Sequence, residues 1–311
     1  MKYNPKFTII IPTYNEENDI EDTIKSLLVL NYNNFDILII DDSIDSTPDI
    51  IKRYENQNVR LIKPKIRQGR CEARNIGIKE ATGEILLILN ADVHLPVDFI
   101  NRILPYYEKG ADYVMVDSSV ENIDDLFARY IDCAHKYRVN ETNWVDTWKW
   151  TEGFSLRKEV ALKTSLFPSG HIVPIVAGED ARFGTELEEI GAKKIVDLDI
   201  VVTHIAPASF EEYWYIRKGR GSGTPQIRRF LDKWSYSKIK NREYLKLIRF
   251  ILSTVTILPM LYKNFKLTKY SSKNRIIDTF RFSYAWVLEQ AAFSVGAFEA
   301  LNKIIEKESK I

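Results

Sequence analysis

The sequence predicts an open, doubly wound, mostly parallel α/β sheet followed by a basic helical C-terminal tail. Three observations predict it. Short apolar runs rich in Ile and Leu recur at residues 7–11, 35–40, 59–62 and 85–89, and continuous runs of this kind suit strands buried on both faces of a parallel sheet. Polar stretches with helical spacing separate them, and strand–helix alternation is the signature of a layered α/β domain. The charge also divides: residues 217–311 hold 20 Lys and Arg against 7 Asp and Glu, a net of +13, whereas residues 1–216 hold 24 against 36.

Each element has a local reason. Ile20, Ile24, Leu27 and Leu28 mark one face of a first helix, with Glu16, Glu17 and Asp19 at the end of the dipole that favours acids. Pro48 opens a second helix, where its missing N–H costs little. Ala73, Ile76, Gly77 and Glu80 run through a third, which Gly83 can close in a left-handed cap. Residues 124–139 read as a helix, and the aromatic segment 144–156 as strands around Glu152-Gly153-Phe154-Ser155. A helix opens at Gly178-Glu179-Asp180 and stops at Gly191, and two short strands ending at His204 follow. Residues 217–225 form a basic, glycine-rich loop, which puts the end of the main domain near 225 and the tail at 226–311.

In such sheets ligands bind at the carboxyl ends of the strands. There the sequence supplies Pro12-Thr13-Tyr14-Asn15-Glu16 after the first strand, Asp41-Asp42-Ser43 after the second and Asn90-Ala91-Asp92 after the fourth. Arg67 and Arg74 flank the third interval. Carboxylates, hydroxyls and guanidinium groups gathered on one rim make a polar site.

The strings IIIPTYNEENDIEDTIKSLL, ILIIDDSIDST and RQGRCEARNIGIKEATGEILLILNAD, with the later EGFSLRKE and GEDARF, resemble family 2 glycosyltransferases of the GT-A fold over residues 6–225. The resemblance implies a nucleotide-sugar half at about 1–115, an acceptor half at about 116–225 and transfer with inversion. It implies nucleotide contacts from Pro12, Tyr14, Glu16, Asp42, Arg67, Arg74, Asn90 and Ala91, with Asp42 accepting from a uracil-type base. It implies Asp180 as the general base, Glu179 as an acceptor contact, and Arg217 and Arg220 over the diphosphate. Asp92 and His204 become ligands of Mn²⁺ or Mg²⁺. The family's DxD reads Asn90-Ala91-Asp92 here, one carboxylate short, so metal affinity is expected to be weakened. Hard cations take carboxylate oxygens, and a leaving diphosphate needs positive charge nearby. The partners implied are a nucleotide-diphosphate sugar and a glycan or polyprenyl-lipid-linked acceptor.

Other classes lose ground on the same residues. A sugar-nucleotide pyrophosphorylase would carry Gly and Lys in the loop after the first strand, where this chain has PTYNEEN. No GxGxxG follows a strand, against a dinucleotide dehydrogenase. Cys71 and Cys133 have no metal-ligand spacing. No recognition motif accompanies the basic tail, so nucleic acid is not expected as a partner. A nucleotide-sugar-binding or membrane-scaffold protein without turnover is the alternative, and Asn90 is its argument. Cysteine usage and the early Pro and acids point to a cytoplasmic protein. The tail's apolar stretches, 250–262 and 282–298, fall short of a spanning helix, yet with its charge they suit an anionic membrane surface.

Overall fold

The computed structural model describes residues 3–65 and 69–311. In chain order the elements are β1 (Phe7–Thr13), α1 (Ile20–Leu28), β2 (Phe35–Asp41), α2 (Thr47–Lys52), β3 (Val59–Ile62), α3 (Arg70–Glu80), β4 (Ile85–Ile88), β5 (Val93–His94), α4 (Phe99–Glu108), β6 (Tyr113–Val120) and α5 (Leu126–Glu141). Then follow β7 (Phe154–Arg157), α6 (Lys158–Ala161), α7 (Glu179–Glu189), β8 (Lys194–His204), α8 (Phe210–Phe230), α9 (Tyr236–Val255), α10 (Ile257–Leu267) and α11 (Arg275–Glu308).

The eight strands form one sheet in the order β3-β2-β1-β4-β7-β6-β8-β5. It is parallel through β3, β2, β1 and β4, while β7 runs antiparallel to both β4 and β6. All seven residues of β2 are buried, which is why the run lacks polar alternation. Because β2 and β3 lie on one side of β1 and β4 on the other, the order reverses at β1/β4. A crevice opens outside the strand ends at such a reversal.

The helices bury the faces that the spacing marks. Ile20, Thr23, Ile24 and Leu27 of α1 are buried, and the apolar ones join Ile9, Ile11, Ile37 and Ile39 in the core. Pro48 sits in the first turn of α2. Gly77 lets α3 lie on β1, since a Cβ there would stand 2.3 Å from Ile10 Cγ2. Gly83 corrects the expectation of a left-handed cap: α3 ends at Glu80, and a Cβ at Gly83 would meet the Thr8 nitrogen at 2.5 Å, so close approach explains this glycine.

The chain divides into two compact units. The first, holding the sheet, comprises 1–119, 149–169 and 180–204; the second comprises 120–148, 170–179 and 205–311. Within the second, Arg129 and Asp278 form a buried ion pair at 2.9 Å, and Phe127 stacks on Tyr213 with centroids 4.3 Å apart.

Three further expectations change. Residues 217–225 are the interior of α8, not a loop, so the expected boundary at 225 falls inside a helix that starts on a Ser209/Glu212 capping box. Two of its glycines serve packing: a Cβ at Gly221 would lie 2.2 Å from the Phe293 carbonyl oxygen, and one at Gly223 would lie 2.2 Å from that of Ala177. The residues after Gly191 form one eleven-residue strand, β8, rather than two. In the tail the chain breaks at Thr256, between α9 and α10, and Pro259 is accepted in the first turn of α10.

Gly221→Val should therefore force α8 from α11 and cost about 1–3 kcal/mol, the range for overpacking a filled interface. Gly219→Ala, with nothing within 4 Å of the new carbon, should be neutral or gain up to about 1 kcal/mol of helix propensity. Urea unfolding of both variants reads the difference; equal effects would mean that α8 is not held by this close approach.

Candidate active site

The rim at the β1/β4 reversal is built from short hydrogen bonds between strand ends. Asp41, fully buried at the end of β2, accepts from the Thr13 hydroxyl at 2.9 Å and the Ser43 amide at 3.2 Å. The Asn15 amide donates to the Ser43 hydroxyl at 2.7 Å, and the Glu16 amide to the Thr47 hydroxyl at 2.9 Å. Asn15 takes a positive φ of 58° to make the turn, a conformation that asparagine tolerates. Asp42 accepts from the Gly69 amide at 3.0 Å, so its carboxylate ties β2 to the start of α3. Pro12 is half-buried within β1, and Tyr14 is exposed beside it. Arg67 lies outside the described residues.

Arg74 is almost wholly buried, 2% exposed, although the sequence offers it as a phosphate or base contact. Its guanidinium lies 5.4 Å from the Trp150 ring centre and 5.1 Å from that of Phe167, and it donates to the Asn90 side-chain oxygen at 3.2 Å. The Asn90 amide nitrogen in turn donates to both oxygens of Glu152, at 3.1 and 3.2 Å. Asn90 thus bridges a buried cation and an anion. An aspartate there could accept from Arg74 but would present a second carboxylate to Glu152. The amide in the shortened DxD has a structural cause.

The same aromatic cluster seats the helix that carries Asp180. Phe167 stacks on Phe183 of α7 at 4.5 Å, and Trp150 on Phe154 at 4.1 Å. Gly184 brings α7 against the chain ahead of Trp150: a Cβ there would lie 1.9 Å from the Lys149 oxygen. Asp180 is half-buried in the first turn, its carboxylate accepting from the Ala181 amide at 2.6 Å.

Asp92 and His204 meet because β5 pairs with β8, which sets His204 opposite Val93. Burial pushes the Asp92 carboxyl up, and the nearby His204 imidazole pulls it down. Ala91 is buried, its carbonyl accepting from the Thr23 hydroxyl. Glu16 is pushed up to about 7 by burial, with Asp92, Asp19 and Asp45 adding like charge. Among the described residues no three His, Cys, Asp or Glu side chains gather into a metal cage. The Asp92 carboxylate, the His204 imidazole and the neighbouring Glu16, which burial keeps from ionising readily, nevertheless fit a hard cation that draws its other ligands from phosphate oxygens and water.

The remaining candidates lie in the second unit. Glu179 is buried. Arg217 is buried too, its Nε 3.3 Å from Glu289 and its guanidinium over the Tyr213 ring at 5.0 Å. That corrects the flexible diphosphate-closing loop: Arg217 is a packed helical residue. Arg220 is exposed on the same helix.

Sequence reasoning gave no role to Glu152, Trp150 or Phe167. A signal existed in Glu152-Gly153, where Gly153 has φ +72° and a Cβ would meet Val202 and Val116 at 2.9 and 3.0 Å.

Asn90→Asp should lower stability at pH 8 by about 1–3 kcal/mol, the cost of replacing a donor to a charged group with a like charge. Mn²⁺ should restore part of that loss; an unchanged urea midpoint would remove the bridging role. Glu16 holds its proton to about pH 7 when folded and to about 4.5 when unfolded, so the folded chain binds more protons between those values. Stability then falls as pH rises through that window. Glu16→Gln should flatten this part of the melting-temperature profile in the absence of divalent cations, and a profile parallel to the parent's would contradict the assignment.

The chain is similar to known proteins in sequence and in fold. The profile for glycosyl transferase family 2 matches residues 8–169. An uncharacterized glycosyltransferase of Rickettsia felis is 32% identical over 137 residues, which is 43% of this chain and 22% of that protein. The poly-beta-1,6-N-acetyl-D-glucosamine synthase of Staphylococcus aureus (strain MSSA476) is 34% identical over 102 residues, 32% of this chain and 24% of the synthase. The chain thus matches less than a quarter of the length of these relatives. Among solved structures, a mannosyltransferase from Pyrobaculum calidifontis in complex with GDP-Man and Mn²⁺ superposes with a TM-score of 0.65 at 20% identity, covering 96% of this chain and 88% of that one. Residues 1–349 of Staphylococcus aureus TarS in complex with UDP-GlcNAc superpose at 0.54 and 15% identity, covering 96% and 92%. The sheet with its flanking helices is that of the GT-A glycosyltransferases, and the chain belongs to glycosyl transferase family 2.

Proposed function

We propose that the chain is an inverting glycosyltransferase that moves a sugar from a nucleotide-diphosphate donor, UDP-type favoured, to a hydroxyl of a glycan or lipid-linked acceptor. The observation that carries the reading is the shared foundation of its two halves. The aromatic cluster that holds Arg74, and through it Asn90 and Glu152, also seats the helix bearing Asp180. Family membership supports the reaction class. The UDP-GlcNAc and GDP-Man complexes of the structural neighbours support a nucleotide-sugar donor.

In this reading Asp42 accepts the N–H of the base while Pro12 and Tyr14 wall its pocket. Asp180 takes the proton of the acceptor hydroxyl as that oxygen attacks the anomeric carbon. The bond to the donor diphosphate breaks on the opposite face, its electron pair stays with the diphosphate oxygen, and the configuration inverts. Glu179 would contact the acceptor. Asp92 and His204 would hold Mn²⁺ or Mg²⁺, which when bound supplies positive charge to the leaving diphosphate. Arg217, bound to Glu289, has no part in the step. Asn90, which argued for a binder without turnover, now has a structural account. A nucleotide-sugar donor suits a reaction on the cytoplasmic side.

Asp180→Asn should lose about 10²–10⁴ in turnover, the range for general-base catalysis, while binding donor nearly as the parent does. Asp92→Ala should instead weaken donor binding and abolish any Mn²⁺ response. Thermal shifts with UDP- and GDP-sugars, with and without Mn²⁺, identify the donor before transfer is assayed. A fully active Asp180→Asn enzyme would end the base assignment.

A further inference from the structure

We propose that the elbow between α9 and α10, together with the start of α11, seats in one leaflet of an anionic lipid bilayer. The inference rests on the second unit alone and stands whether or not the transferase reading holds.

Among the described residues no helix is long and apolar enough to cross a membrane, but α9 and the segment 257–270 pass that test together while bent by 89° at Thr256. The bend puts apolar side chains outward. Leu252, Val255, Ile257 and Leu258 are 59, 73, 55 and 79% exposed, and Ile276 and Phe280 on α11 are 68 and 62% exposed. Nearly half of the large exposed apolar side chains of the described residues fall between Tyr244 and Tyr284. A contiguous patch of this kind marks an interaction surface. An apolar cleft of about 420 Å³ opens within it, lined by residues of all three helices including Ile257, Met260, Leu261, Phe280 and Val287. Its walls accept an acyl chain.

Charge selects the occupant. Residues 244–284 hold eight Lys and Arg and a single acid, Asp278, which is buried against Arg129. Thirteen uncharged residues, 250–262, are flanked by Arg249 and Lys263, so the apolar tip is bracketed by cations. Lys266 lies 4.6 Å over the ring of exposed Tyr262, the aromatic and basic pairing that suits the headgroup level. A second copy on the same face would oppose like charges. An anionic leaflet offers both an apolar depth and counter-charge.

The full chain should co-sediment with vesicles of phosphatidylcholine and phosphatidylglycerol, weakly with phosphatidylcholine alone, and less as salt is raised. Val255→Asp with Leu258→Asp, both exposed positions, should weaken association at least tenfold while melting like the parent. A dye on Leu258→Cys, the two natural cysteines being buried, should shift to the blue on anionic vesicles. The proposal is overturned by no association, by association untouched by the double variant or by a dye that stays in water. It is overturned in favour of a dimer if the parent self-associates and the double variant does not. It is overturned in favour of an acceptor site if neutral vesicles bind only after polyprenyl phosphate is added and phosphatidylglycerol vesicles never do.

Discussion

A buried guanidinium sets the terms of the rim at the strand ends. Arg74 keeps 2% of its surface and must find acceptors inside the protein, because an uncompensated buried charge is among the costliest features a fold can carry. Trp150 and Phe167 cover its faces, and Asn90 accepts from its edge. The negative charge that balances it sits one step further on, at Glu152, reached through the Asn90 amide nitrogen. The family's first carboxylate is in this sense relocated rather than lost: position 90 supplies both an acceptor and a donor, and position 152 supplies the anion. The rings that shield Arg74 then serve as the floor for α7, so the helix bearing Asp180 inherits its position from the same contact.

The sheet contributes stiffness to that arrangement. Asp41 has no exposed surface and is held by Thr13 and Ser43 across the β1/β2 register, which fixes the backbone from which Asp42 projects. Gly77 and Gly83 let α3 and the start of β4 approach β1 closely enough to carry Arg74 to the rim. Side chains offered to a ligand thus stand on strand ends that Asp41 Oδ1 and Asp42 Oδ2 tie to Thr13, Ser43 and Gly69.

The parallel half of the fold was legible because its signals are local. Continuous apolar runs and one-faced helices announce themselves within ten residues, and the rim residues follow from knowing where strands end. What escaped was set by distant partners. Residues 217–225 carry three glycines and Pro225, a local preference for a loop, yet they are helical because Gly221 and Gly223 let α8 touch Phe293 and Ala177. Tertiary contact overrode propensity there. Glu152 was visible as a motif, but its role depends on Asn90, 62 residues away. The tail's composition fits both a packed helix pair and a membrane surface, and the outward exposure of Leu252, Val255 and Leu258 is set by packing that no short stretch of sequence announces.

The acids of the rim leave one electrostatic requirement. Glu16 and Asp92 both resist ionisation through burial, each next to other carboxylates, and a donor diphosphate would add further negative charge. Two like unit charges 4 Å apart repel by about 4 kcal/mol at the effective dielectric of a protein surface, which disfavours a diphosphate beside ionised acids. His204 offers partial relief, since its imidazole already lowers the Asp92 carboxyl. Arg74 cannot help, being committed to Asn90 beneath the rings. In the proposed reaction, positive charge brought with the donor would balance these acids. In the proposed reading, a divalent cation held by Asp92 and the phosphates would supply that charge with few protein ligands, which suits a rim holding one DxD carboxylate instead of two.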